Sequence, residues 1–175
     1  RELSLLHKIK EDMIDVVPLG GHSYYKKINS NKINERKNTI LFFGRIWEYK
    51  GLDILIKAEP YISEVIPDVK IIIAGRGENM RKYRNLIVNR ENFVILNGRI
   101  PDADVSRLFQ LSSLIVMPYR EATQSAIVPL ACLFGKPLVA TRVGGIPEQV
   151  QNEVHGLLIP PEDEKALASA IVRVL

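Results

Sequence analysis

From residue 39 onward the chain alternates between short apolar runs and longer segments with helical periodicity. The apolar runs cover 39–43, 69–74, 93–97, 114–117, 138–141 and 157–159. They are apolar almost throughout instead of at every second residue, the pattern of strands covered by helices on both faces. Between them, Leu52, Leu55, Ile56 and Ile62 follow the first run, Met80, Tyr83 and Ile87 the second, and Val105, Leu108 and Phe109 the third, each set at the spacing of one helix face. Strands alternating with helices predict an α/β fold, a doubly wound parallel sheet of about six strands.

Local signals agree with that frame. Asp102 is placed to cap the third helix and Asp163 the last, and Gly135 followed by Pro137 stops the helix running through Cys132. Pro60 inside the first helical segment predicts a kink or a break. Ahead of the sheet, Leu3, Leu6, Ile9 and Met13 form a helical stripe over 1–14, and 16–21 reads as a strand ending in a turn. Residues 22–38, rich in Lys and Asn, read as a solvated loop. The start at Arg1, and an end at Leu175 inside a helical pattern with no closing Gly or Pro, read as the boundaries of a piece of a larger protein.

Composition narrows the class. Among 175 residues, 46% are apolar and 25% charged, as in an ordinary globular domain. One domain with a real core is expected at this length. No run reaches the ~20 apolar residues of a membrane-spanning helix, and the N-terminus lacks a signal pattern, so a cytoplasmic location is expected. The net charge of +4 suits an anionic ligand. No face interleaves basic with aromatic residues, so nucleic acid is not expected as a partner. His7, His22 and His155 lack metal-ligand spacing, and no metal site is expected. Cys132, the one cysteine, sits in an apolar stretch and is expected as a buried small hydrophobe.

In an open parallel sheet a ligand belongs at the carboxyl ends of the strands. After the first strand, GRIWEYKG at 44–51 supplies Gly44 for a turn and two cations, Arg45 and Lys50, beside a helix start, which is the chemistry of a diphosphate clamp. From spacing alone, a surface loop with two solvated charges accounts for the same residues. After the second strand, Gly75 opens GRGEN at 75–79, which lacks the third glycine and the later acid of a dinucleotide fingerprint. After the fourth, Glu121 precedes Thr123, Gln124, Ser125, Ala126 and Ile127 at the start of an apolar helix. That arrangement offers a carboxylate to sugar hydroxyls and free N–H groups to a phosphate, or is simply a helix cap with a favourable first-turn charge.

Taken in order, VVPLG at 16–20, GR with KG at 44–51, IAGRG at 73–77, NGRIPDAD at 97–104, GKPLVATRVGGIP at 135–147 and HGLLIPP at 155–161 resemble glycosyltransferase family 4. The resemblance runs from about residue 14 to the C-terminus, and six segments in family order at strand ends are specific. It implies a Rossmann-like sheet forming the C-terminal, donor-binding half of a two-domain GT-B enzyme, with 1–14 as a linker helix, 15–175 as the donor domain, and acceptor recognition on an N-terminal domain outside this chain. By the same resemblance Arg45 and Lys50 hold the donor diphosphate, Gly98, Arg99 and Ile100 cradle the base, and Glu121 reaches donor-sugar hydroxyls. The family carries a second glutamate for the ribose. Leu130 stands at that position here, with Glu121 nine places before it instead of eight. The stretch EATQSAIV is similar to a variant in bacterial surface-polysaccharide transferases, such as those of O-antigen or capsule synthesis, and adds Gln124 and Ser125 as candidates.

The implied reaction transfers a sugar from a nucleotide diphosphate donor, a UDP-sugar by preference, to a lipid-linked or glycan acceptor with retained configuration and no cofactor. The isolated chain is expected to be inactive alone, and the whole enzyme to be peripheral at the inner face of a bacterial membrane. Two alternatives stand beside this reading. A nucleotide-sugar 2-epimerase of the same fold needs ionisable residues that have no evident place here. A receiver-like signalling module needs clustered acids at the strand ends, where the acids do not cluster.

Overall fold

The computed structural model describes residues 2–15, 17, 20, 23–28, 32–77 and 79–175. Two short helices, α1 (Glu2–His7) and α2 (Tyr24–Ile28), precede the sheet. Then follow β1 (Thr39–Phe43), α3 (Leu52–Val65), β2 (Lys70–Gly75), α4 (Met80–Arg84), β3 (Phe93–Asn97), α5 (Asp102–Leu111), β4 (Leu114–Met117), α6 (Ile127–Leu133), β5 (Leu138–Thr141), α7 (Ile146–Gln149), β6 (Gly156–Ile159) and α8 (Glu164–Val174). All six strands are parallel, in the order β3-β2-β1-β4-β5-β6. The doubly wound sheet expected from the apolar runs is the sheet observed.

Alternation along each strand splits the core into two layers. Ile40, Phe42, Ile71 and Ile73 pack under α3 and α8, while Leu41, Ile72 and Ala74 face the other way, onto Phe109 of α5 and Val128 and Ala131 of α6. Both faces are therefore dry, which is why the strands are apolar throughout. The strand order reverses between β1 and β4. Their carboxyl ends diverge there, and the loops that follow them open a crevice.

Several expectations need correction. Cys132 is exposed: α6 turns Val128, Leu130 and Ala131 inward, and that phase places the next residue outside. Pro101 occupies the N-cap of α5 and Asp102 is its first helical residue, making no capping hydrogen bond. Asp163 does cap α8, accepting from the Ala166 N–H at 2.8 Å. Pro60 does not break α3, whose buried residues on both sides, from Leu52 to Ile62, hold the helix through the missing hydrogen bond. Gly135 ends α6 as expected, with φ of 63°. Ile87 lies beyond the short α4.

The segment 22–38 is not wholly a loop, because α2 forms within it and packs on α5. Tyr25 is half-buried, and the Ile33 N–H donates to Gln110 Oε1. In the segment 1–14 the described residues form α1 and one 3-10 turn at Glu11–Met13 instead of a continuous helix, and Leu6 and Met13 of the stripe stand exposed. Of the run 16–21, residues 16, 18, 19 and 21 lie outside the described residues, as does His22.

Candidate functional site

The loop after β1 is held by its glycine. Glu48–Lys50 make one 3-10 turn, and Gly51 closes it with φ of 66°. A side chain on Gly51 would run into the Pro118 carbonyl, so the turn lies directly against the end of β4. That contact carries Lys50 inward. Its Nζ stands 3.7 Å from the centroid of the Tyr119 ring and 5.1 Å from that of Tyr49. Tyr119 is fully buried, and burial pushes its phenol up to about 12. Burial, and then the like charge of Arg45, lowers Lys50 from 10.5 to about 8. None of the ion pairs among the described residues involves Lys50 or Arg45.

Next to Tyr119, Arg120 ties four segments together. It donates through Nη1 and Nη2 to the two carboxylate oxygens of Asp53 at 2.9 and 2.8 Å, at the start of α3. Nη1 also reaches the Glu48 carbonyl and Nε reaches Glu162 Oε1, both at 2.8 Å. Its backbone N–H donates to the Tyr49 carbonyl. Burial alone would raise the Asp53 carboxyl; the hydrogen bonds and charge of Arg120 outweigh it and hold the group below its ordinary value. The turn bearing Lys50 is thus fastened at two carbonyls by one residue of the β4 loop. No local sequence signal marked Arg120, since its partners lie 42 to 72 residues away.

The rest of the β4 loop is shaped from behind by β5. Thr141 Oγ1 donates to the Tyr119 carbonyl at 2.6 Å. Gly144 and Gly145 lie so close beneath Ala122 and Thr123 that a side chain on either would strike a carbonyl. Gln149, which the sequence reading missed, accepts from the Ser125 N–H at 2.8 Å and donates back to the Ser125 carbonyl at 3.3 Å. Ser125 is buried and its hydroxyl accepts from the Ile127 N–H at 3.2 Å, one residue ahead of the N-cap position of α6 at Ala126. Glu121, Thr123, Gln124 and Ala126 are exposed.

The residues gather into two adjoining cavities. A cleft of about 580 Å³ is lined by Tyr49, Lys50, Arg120, Glu121, Thr123, Gln124 and Gly144. A smaller hollow of about 230 Å³ is lined by Arg45, Trp47, Arg76 and Gly77. Arg45 lies over the Trp47 ring at 4.5 Å, close enough to Lys50 to affect its charge. Gly44 sits beside Ile127, and Gly75 backs onto the Gly44 carbonyl. The Gly77 N–H donates to Asn97 Oδ1, which ties the smaller hollow to the β3 loop. Arg99 is exposed and Ile100 packs on the core, and neither lines these two cavities. Leu130 is buried in the core and presents no polar group. Among the described residues, no group of three or more His, Cys, Asp or Glu side chains could hold a metal ion, and no helix is long and apolar enough to cross a membrane.

The profile of the family described as "Glycosyl transferases group 1" matches residues 37–175. The chain is 28% identical over 188 residues to an uncharacterized glycosyltransferase of Methanocaldococcus jannaschii, covering 99% of this chain and 48% of that protein. It is 28% identical over 170 residues to the O-antigen chain mannosyltransferase C of Escherichia coli, covering 92% and 44%. It therefore spans less than half the length of these curated relatives. Among solved structures, HepE of Anabaena in complex with UDP superposes with a TM-score of 0.77 at 22% identity, covering 95% of this chain and 49% of that one. That likeness carries the fold, a Rossmann-like sheet matching the C-terminal domains of GT-B glycosyltransferases. With the family profile spanning the whole sheet, this chain belongs to the group 1 glycosyl transferases.

Proposed function

We propose that this chain binds the nucleotide diphosphate sugar donor of a retaining glycosyltransferase that needs no metal. The observation that carries the reading is Lys50, a half-buried ammonium without a carboxylate partner among the described residues, which lines a cleft of about 580 Å³ together with Glu121, with Arg45 near enough to act on its charge. Such a cleft has the size of a small-molecule site, and its place where the strand order reverses is where open α/β sheets bind ligands. Arg45 and Lys50 hold the diphosphate, and Glu121, Thr123 and Gln124 face the sugar hydroxyls. As the bond from the anomeric carbon to the diphosphate oxygen breaks, negative charge grows on the leaving group, and fixed cations stabilise that charge more than the ground state.

UDP in the HepE complex supports a UDP-sugar as donor, and the O-antigen relative supports a surface-polysaccharide acceptor, glycan or lipid-linked. Acceptor recognition belongs to a further domain, reached through 1–14, and the assembled enzyme works at the inner face of a bacterial membrane. Without that domain no acceptor hydroxyl is positioned. Such positioning can contribute ~7–11 kcal/mol to lowering the barrier, so this chain alone binds donor without transferring it.

Thermal melting with UDP, GDP and ADP in the presence of EDTA tests the reading. A ligand at 100 times its Kd stabilises the fold by about 2.7 kcal/mol, so one of the three raises Tm by several degrees. Stabilisation by none of them, or only when magnesium is added, overturns it.

A further inference from the structure

The net charge of the chain is concentrated at one edge of the sheet. Residues 79–99 hold five of the 24 basic side chains and one of the 20 acidic ones, so this segment carries +4, the whole net charge, and the remainder is even at 19 of each sign. It comprises α4, the connection to β3, β3 itself and the start of the loop after it, and β3 is an outermost strand of the sheet. Lys82 pairs with Glu48. Arg81, Arg84, Arg90 and Arg99 are exposed and enter none of the ion pairs among the described residues.

Exposed aliphatic side chains stand among these arginines, Leu86 and Val88 in the connection and Val94 and Leu96 on β3. Val88 is the most open of the four at 74%, yet its loop is firmly held. On one side Ile87 packs against the core. On the other, Asn89 and Asn92 donate through Nδ2 to the buried Glu59 carboxylate of α3 at 3.2 and 2.7 Å. Lys70 Nζ, donating to the Glu91 carbonyl at 2.9 Å, fastens the same loop to β2. The exposure of Val88 is therefore built in. Nearby, Arg84 and Arg90 flank an apolar notch of about 240 Å³ lined also by Ile87, Phe93 and Ile95.

Guanidinium groups set around exposed aliphatic side chains suit a surface that offers anionic phosphates beside hydrocarbon. The arginines meet the headgroups, and the Leu and Val side chains enter the acyl boundary. Two simpler accounts explain less. Charge on an outermost strand discourages pairing with another strand, but Val88 lies outside β3 and adds nothing to that role. A second copy docked about a two-fold axis would bring the same positive segment against itself.

We infer that the β3 edge of this domain, from Arg81 to Leu96, is a docking surface for an anionic lipid bilayer, with Val88 inserted and Arg84 and Arg90 on lipid phosphates. This goes beyond the donor reading and gives the membrane placement proposed above a surface. At about 4.8 Å per strand, β3 lies only ~10 Å from β1, so a bilayer on this edge stands near the donor cleft.

Sedimentation of the chain with vesicles of phosphatidylcholine, alone or mixed with phosphatidylglycerol, tests the surface. The chain binds the anionic vesicles and not the neutral ones, and binding weakens as salt is raised. Arg84→Gln with Arg90→Gln lowers the partition coefficient about 30-fold, and Val88→Ser, which leaves the charge intact, about 10-fold. Lys165→Gln with Arg173→Gln removes the same charge from α8 and leaves it nearly unchanged. Thermal melting and UDP calorimetry matching the wild type guard each variant against a folding defect. No binding to anionic vesicles, equal binding to neutral ones, or an equal loss in the α8 variant overturns the surface, as does self-association that Val88→Ser abolishes without any vesicle binding. Each of these leaves the donor reading standing. Absence of heat from UDP, GDP and ADP, with vesicle binding intact, overturns the donor reading alone.

Discussion

Lys50 makes an unusual pH dependence measurable. Its ammonium titrates at about 8 in the folded chain instead of at 10.5, because it is half-buried and shares its surroundings with Arg45. At pH 7 about nine-tenths of the groups are charged and at pH 9 about one-tenth. A diphosphate between the two cations favours the charged form, so binding takes up a proton, and affinity falls by up to about tenfold per pH unit above 8. The phosphates of the ligand do not confuse the profile, since a terminal phosphate with a pKa near ~6 is already ionised there. Stability moves the other way. The folded pKa lies below the unfolded one, so the unfolded chain binds more protons between about 8 and 10.4, and Lys50 contributes rising stability with pH across that window. Calorimetry of UDP at constant ionic strength from pH 7 to 9.5, in buffers of differing ionisation heat, reads both affinity and proton uptake. Lys50→Arg keeps its charge throughout and flattens the profile. A flat wild-type profile, or the same slope in Lys50→Arg, refutes the assignment of Lys50 to the diphosphate.

Arg120→Met removes the clasp on the Lys50 turn and is expected to cost about 2 kcal/mol in urea unfolding, the low part of the range for charge-assisted bonds because the pair is partly exposed. A double-mutant cycle with Asp53→Asn should return a coupling of about 1–2 kcal/mol. Asp53 titrates below its ordinary value, so its contribution is complete above about pH 4 and is lost as pH falls through the lower folded pKa; acid unfolding of Arg120→Met should lack that component. Gly144→Ala drives a side chain into the Ala122 carbonyl and should weaken donor binding measured by calorimetry, at a stability loss of about 1–3 kcal/mol. Cys132 should react with one equivalent of a thiol reagent in the native chain, without denaturant.

The sheet was legible because burial on both faces leaves little choice of residue: the six apolar runs match the six strands to within a residue. What depends on helical phase was less legible. An apolar window around Cys132 does not say which residue of α6 points outward, and only the packing of Val128, Leu130 and Ala131 decides it. In α2 the apolar residues Tyr25 and Ile28 sit among lysines, and their partner face on α5 is remote in sequence. At the candidate site, Arg45, Lys50 and Glu121 were visible because strand-end loops carry ligands and the motif order narrows the choice. Arg120 and Gln149 were not. Both act on residues 24 or more positions away, and a lone arginine or glutamine carries no local pattern of such a contact. The orienting roles of Tyr49, Tyr119 and Trp47 were hidden for the same reason: each depends on which ring a cation lies over.

The central claim is that Arg45 and Lys50 hold a donor diphosphate without a metal. Titrating UDP into the wild-type chain, Arg45→Ala and Lys50→Ala by calorimetry at pH 7 in EDTA tests it most directly. Binding by the wild type, weakened about 10- to 150-fold in each variant as a charge-assisted contact is lost, is the predicted result. Equal affinity in all three chains would contradict it.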